Sequence, residues 1–129
     1  MYIVYKENEI KQLQLKYLLL EMDTVKISED TTITAHCVIS SDDISLDEFS
    51  VINKKKSQHI ELIKNYKLKN WNKCCDLITV LMGSFKGEMD SFYNILLNRI
   101  DELKTTKLDS NWTGVVNLIS SEIYKYYKQ

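Results

Sequence analysis

The chain has 129 residues, 44% of them hydrophobic and 27% charged, with a net charge of −1. That size suits one domain around one contiguous core, and the composition is that of an ordinary globular chain, which argues against extended disorder. No apolar run approaches the roughly 20 residues of a membrane span. The start MYIVYKENEIK lacks the basic n-region and cleavage site of a secretory signal, so a cytoplasmic protein without membrane contact is expected.

The first forty residues read as strands. Met1 to Lys6 is β-branched and aromatic. Gln12 to Leu20 alternates, with Leu13, Leu15, Tyr17 and Leu19 on one side and Gln12, Gln14 and Lys16 on the other, the period of a half-buried strand. Residues 10–22 read also as one helix, because Leu, Lys, Gln and Glu are good helix formers. Val25 and Ile27 precede a turn-like Ser28-Glu29-Asp30, and Thr31 to Ile39 alternates again. The expectation is a small antiparallel meander over residues 1–39, then a connector over 40–56 whose first part, SSDDISLDE at 40–48, is acidic.

From about residue 57 the period becomes 3.6. Ile60, Ile63 and Tyr66 mark one face of a first helix. Trp71, Cys74, Cys75, Ile78 and Leu81 mark a second, which stops at Gly83. Met89, Phe92, Tyr93, Leu96, Ile100 and Leu103 mark a third. Trp112, Val115, Val116, Ile119, Ile123 and Tyr126 repeat the spacing and predict a fourth behind a Ser110 cap. Trp71, Ile78, Leu81, Phe92, Leu96, Ile100, Val116 and Ile119 are the expected core. The fold class is therefore α+β: one domain, a small N-terminal antiparallel sheet followed by a three- to four-helix C-terminal bundle over 57–129.

Charge is distributed unevenly along this frame. Residues 54–73, KKKSQHIELIKNYKLKNWNK, hold seven lysines and one acid, whereas the 53 residues before them hold four lysines and ten acids. Lys54, Lys55, Lys56, Lys64, Lys67, Lys69 and Lys73 are the candidate polyanion contacts, with Tyr66 and Trp71 set among them as rings on which unpaired bases stack. Three points favour an ordinary solvated helix face instead. Arginine, the better bidentate phosphate reader, is absent from the stretch. Trp71 falls on the apolar stripe of its helix, and the acids of 40–48 are close enough in sequence to neutralise the lysines.

Residues with catalytic chemistry are few. His36 and His59 are the only imidazoles, and Cys37, Cys74 and Cys75 form an odd set with two adjacent members, so free thiols are expected rather than a disulfide. A zinc site drawn from His36, Cys37, Cys74 and Cys75 lacks the usual ligand spacing. No Gly-rich phosphate loop and no acid–base–nucleophile set is present. No metal, no cofactor and no enzymatic activity are therefore expected.

Asn70-Trp71, Leu81-Met82-Gly83, the string Gly87-Glu88-Met89-Asp90-Ser91-Phe92-Tyr93, and Arg99-Ile100 together resemble short uncharacterised proteins of large tailed phages of marine bacteria, over residues 60–103. The resemblance implies no activity and gives no residue a role. Ile, Asn, Lys and Tyr supply 47 residues and Ala, Gly, Pro and Arg only five, a bias toward AT-rich codons compatible with such a source. The leading expectation is a non-enzymatic accessory protein of viral type that works through contacts with another macromolecule, most simply a protein. A nucleic-acid-binding module using 54–73 is the first alternative. An enzyme whose residues converge only in three dimensions is the second.

Overall fold

The structure, a computed structural model, describes residues 2–39 and 46–117. It is α+β, and its chain falls into two compact units, residues 1–42 with 114–129 and residues 43–113.

The first unit is a four-stranded sheet in the order β1-β3-β2-β4. The strands are β1 (Tyr2–Val4), β2 (Leu18–Ser28), β3 (Thr31–Ile39) and β4 (Val116–Asn117), and a short helix α1 (Glu7–Leu13) joins the first two. β1 and β2 both pair antiparallel with β3, and the turn at Glu29-Asp30 falls where the sequence places it. Alternation holds in β3, where Ala35, Cys37 and Ile39 are buried. In β2 it breaks: the register slips between Glu21 and Thr24, so that three steps on β2 oppose two on β3. This bulge flips the side-chain parity, which is why Leu20 and Met22 are buried and the next buried apolar residue is Val25. Thr24 and Thr34 then face each other across the strands with their hydroxyls 3.0 Å apart.

Two expectations are corrected here. The alternating segment 12–20 is neither one strand nor part of one helix over 10–22. Gln12 and Leu13 end α1, which buries no residue, and the strand starts at Leu18. The stripe from Trp112 onward does not continue as a helix: Gly114 takes a positive φ of 84°, and Val116 and Asn117 pair parallel with Val25 and Lys26. Val116 is half-buried there. Ile119, Ile123 and Tyr126 lie outside the described residues.

The second unit is helical: α2 (Leu46–Lys67), α3 (Trp71–Leu81) and α4 (Asp90–Lys104). α2 begins eleven residues earlier than the apolar period does, so residues 46–56 are helix rather than connector; residues 40–45 lie outside the description. Its packed face is also rotated from expectation. His59, Leu62, Ile63 and Tyr66, at spacings of three, four and seven, are buried, whereas Ile60 is 56% exposed. The face of α4 is as the sequence predicts, with Phe92, Leu96 and Ile100 buried. On α3 Cys74, Ile78 and Leu81 are buried as expected, Leu77 joins them, and Trp71 and Cys75 are only half-buried. Among the described residues no helix is long and apolar enough to cross a membrane.

A tight corner joins α3 to α4. Gly83, Phe85, Lys86 and Gly87 all take positive φ, from 55° to 81°. Phe85 turns inward and is buried, while Asp90 at the start of α4 accepts a 2.9 Å hydrogen bond from the Gly83 N–H.

Candidate polyanion-binding site

The lysine-rich stretch does not form one surface; helical geometry divides it. At about 100° per residue, Lys56, Lys64 and Lys67 fall within about 80° of one another on the exposed side of α2, and Lys54 lies about 80° further round, past Glu61. Lys55 points the other way. Its Nζ donates to the Val80 carbonyl at 3.1 Å, which satisfies one of the open acceptors in the last turn of α3. This lysine serves the fold.

Lys69 and Lys73 belong to a different place, made by the turn between α2 and α3. The N–H of Asn70 donates to the Asn65 carbonyl at 3.0 Å and that of Lys69 to the Tyr66 carbonyl at 3.1 Å, with Lys69 at a φ of 64°. That pair of bonds around a left-handed residue is the Schellman ending of a helix, with lysine where glycine is usual. The Asn70 side chain reinforces it, donating to Asn65 Oδ1 at 2.9 Å, and Asn65 donates back to the Glu61 carbonyl at 2.7 Å. Because Asn70 is spent on α2, no side chain caps the first turn of α3. The amides there face outward with the positive end of the helix dipole.

A cleft of about 610 Å³ opens at this turn, lined by Lys69, Asn70, Trp71, Asn72, Lys73 and Lys104. Lys104 comes from the last turn of α4. Three lysines from two regions of the chain thus line one cleft, with no acidic residue among its described lining. Lys73 and Lys104 are exposed, and neither takes part in an ion pair among the described residues. Lys69 donates to the Asp109 carbonyl at 3.4 Å.

Beside the cleft stands a cluster of three aromatic rings. Tyr66, Trp71 and Trp112 meet edge to face, with centroids 5.5 to 5.8 Å apart and interplanar angles of 62° to 71°, the geometry that ring quadrupoles favour. Asp109 delivers Trp112 to it: the Asp109 carboxylate accepts the Asn111 N–H at 3.2 Å and its carbonyl accepts the Trp112 N–H at 3.0 Å. Arg99 fixes Tyr66 by donating to its hydroxyl at 3.3 Å, with the guanidinium 6.0 Å from the ring centroid. Tyr66 is buried, in keeping with its place on the apolar face of the first helix, and so is not the exposed stacking ring of the nucleic-acid alternative. Trp71, expected in the core, is only half-buried and lines the cleft.

The remaining reactive groups are held in ways that suit structure. Cys37, Cys74 and Cys75 are free thiols. Burial pushes the Cys74 thiol up to about 11, with Cys75 beside it adding to the effect, which favours the protonated thiol at neutral pH. Cys74 Sγ lies 3.9 Å from the Leu62 carbonyl. His59 is buried against Tyr93. Among the described residues no three His, Cys, Asp or Glu side chains come together as a metal site. The chain matches no protein-family model, no curated protein and no solved structure.

Proposed function

We propose that this protein works by binding rather than catalysis, as an accessory factor whose partner is an anionic macromolecule held at the Lys69/Lys73/Lys104 cleft. The observation that carries the reading is that three lysines, from the α2–α3 turn, the start of α3 and the end of α4, line one cleft with no acid among its described lining. Polyanion binding needs clustered, unneutralised cations that a run of phosphates or sulfates can reach together. The exposed lysines of α2 meet that need less well, because Glu61 and Ile60 interrupt them. Missing guanidinium groups make the contact one of point charges, so the affinity is modest and falls with salt.

The test is a salt series of binding to heparin and to a short oligonucleotide, read by fluorescence anisotropy. Three neutralised phosphates predict a slope of log K against log salt near −2 on a single strand, at about −0.7 per contact. Changing Lys69, Lys73 and Lys104 together to Gln should flatten that slope and leave the thermal midpoint in place. Changing Lys54, Lys56 and Lys64 to Gln should keep most of the binding. A larger loss from the second set, or no binding even at low salt, overturns the reading.

A further inference from the structure

We infer that the ligand of this cleft is a single-stranded nucleic acid, with one unpaired base laid on Trp71 and the flanking phosphates on Lys69, Lys73 and Lys104. The inference rests on the anion-binding reading and narrows it. Charge alone does not distinguish an acidic protein, a duplex and a single strand. Trp71 does. Trp71 is half-buried and lines the cleft with three lysines, a position in which a tryptophan contributes less to the core than full burial would give. Its orientation is fixed by Tyr66 and Trp112, and Tyr66 is itself held by Arg99. A ring so held loses little freedom when a second planar group is laid against its exposed part, which is what makes a platform for stacking.

The pairing of a fixed ring with nearby cations is the arrangement by which proteins hold single strands without reading sequence, because every base has a π-face. A duplex hides those faces inside its stack, and an acidic peptide has none. Asn70 and Asn72 add amides to the lining. The cleft volume lies within the range of small-ligand pockets, enough for a nucleotide and its neighbours' phosphates but not for a folded domain. The expected binder therefore prefers unpaired strands, is tolerant of sequence, and covers a short footprint.

The experiment compares four probes on the unaltered protein: a short oligothymidylate, an abasic deoxyribose-phosphate chain of the same length, a duplex of that length, and polyglutamate. Heparin serves as the reference for charge. Oligothymidylate should bind about 5- to 150-fold more tightly than the abasic chain, the gain expected from one stacked base. It should also quench tryptophan fluorescence more than the abasic chain does. Trp71→Leu, which keeps the apolar bulk, should erase that gap and leave the abasic affinity as it was. If Trp71→Leu does not fold, the gap in the unaltered protein still decides. Equal affinity for the two strands, tighter binding of the duplex, or equal binding of polyglutamate overturns the inference. Heparin binding that still depends on the three lysines would then leave the anion reading standing. If no probe binds, heparin included, both fall.

Discussion

His59 of α2 and Tyr93 of α4 are joined by a 2.9 Å hydrogen bond between Nδ1 and the phenol oxygen, with His59 1% exposed and Tyr93 0%. Phe92 closes the group, its ring centroid 6.4 Å from that of His59. A buried polar pair of this kind ties two helices together in one register, because either partner is costly to bury without its bond. Tyr93→Phe keeps the ring and removes the bond, so a loss of about 1–3 kcal/mol is expected on chemical denaturation. Combined with His59→Leu, the two changes should cost less than the sum of the single losses, by about 0.5–3 kcal/mol. Strict additivity would mean the contact contributes nothing.

The orientation of the three helices in the second unit is tested by truncation. Phe92 and Leu96 are fully buried, and replacing either with Ala should cost about 2–5 kcal/mol through lost transfer energy and the cavity left behind. Ile60, although isoleucine, faces outward, and Ile60→Ala should stay within about 0.5 kcal/mol of the unaltered protein. Denaturant midpoints at equal slope check both. A large loss at Ile60 would put the packed face of α2 back where the apolar spacing alone places it.

Ile60 also explains how far the sequence could be read. α3 and α4 have strong stripes of large apolar residues, and their faces and ends follow from the spacing. α2 does not: its packed face includes His59 and a polar Asn65, so isoleucine at 60 pulled the expected face round by about one residue. Its first turns carry Leu46, Phe49 and Ile52 at helical spacing, but they follow the Ser/Asp-rich segment and run into three consecutive lysines, and Phe49 is exposed, so the short stripe marks no packed face. In the sheet, the bulge at Glu21–Thr24 hides the period of β2, and α1 has no buried residue to announce it. Trp112, Val115 and Val116 do have helical spacing, but a left-handed Gly114 between them sends the chain into a strand. Of the cleft, Lys69 and Lys73 stood in the lysine-rich stretch. Lys104 comes from the far end of α4, where a lysine reads simply as a complement to the helix dipole.

The α3–α4 corner concentrates left-handed backbone, which costs an L-residue with a Cβ about 1–2 kcal/mol. At Gly83 an added Cβ meets nothing within 4 Å, so Gly83→Ala isolates the backbone penalty at a φ of 81°. A loss of about 1–2 kcal/mol is expected there. Lys86 already bears that penalty at a φ of 57°. Lys86→Gly should therefore be neutral to slightly stabilising, against the loss of about 0.5–1 kcal/mol that glycine causes inside a regular helix. Thermal unfolding of the two variants separates them by sign. A clear loss in Lys86→Gly would show that its side chain matters more than its backbone.

His36 gives the first unit a pH dependence whose direction follows from its surroundings. It lies on β3 opposite Glu21 of β2 and Val4 of β1. Burial lowers its pKa from 6.5, and the Glu21 carboxylate and a backbone contact at Thr34 oppose that only in part. The folded chain thus holds its neutral imidazole to lower pH than the unfolded chain does. Between the folded pKa and 6.5 the unfolded state binds more protons, so stability rises with pH across that window and is lost as pH falls through it. His36→Gln should remove this slope while leaving the contributions of the carboxylates at lower pH. Glu21→Gln, which takes away the main group holding the imidazole up, should lower the folded pKa further and extend the window downward. The reading is checked by denaturation across pH with the imidazole followed by NMR. A His36 resonance that titrates above 6.5, or stability that grows as pH falls through that range, would contradict it.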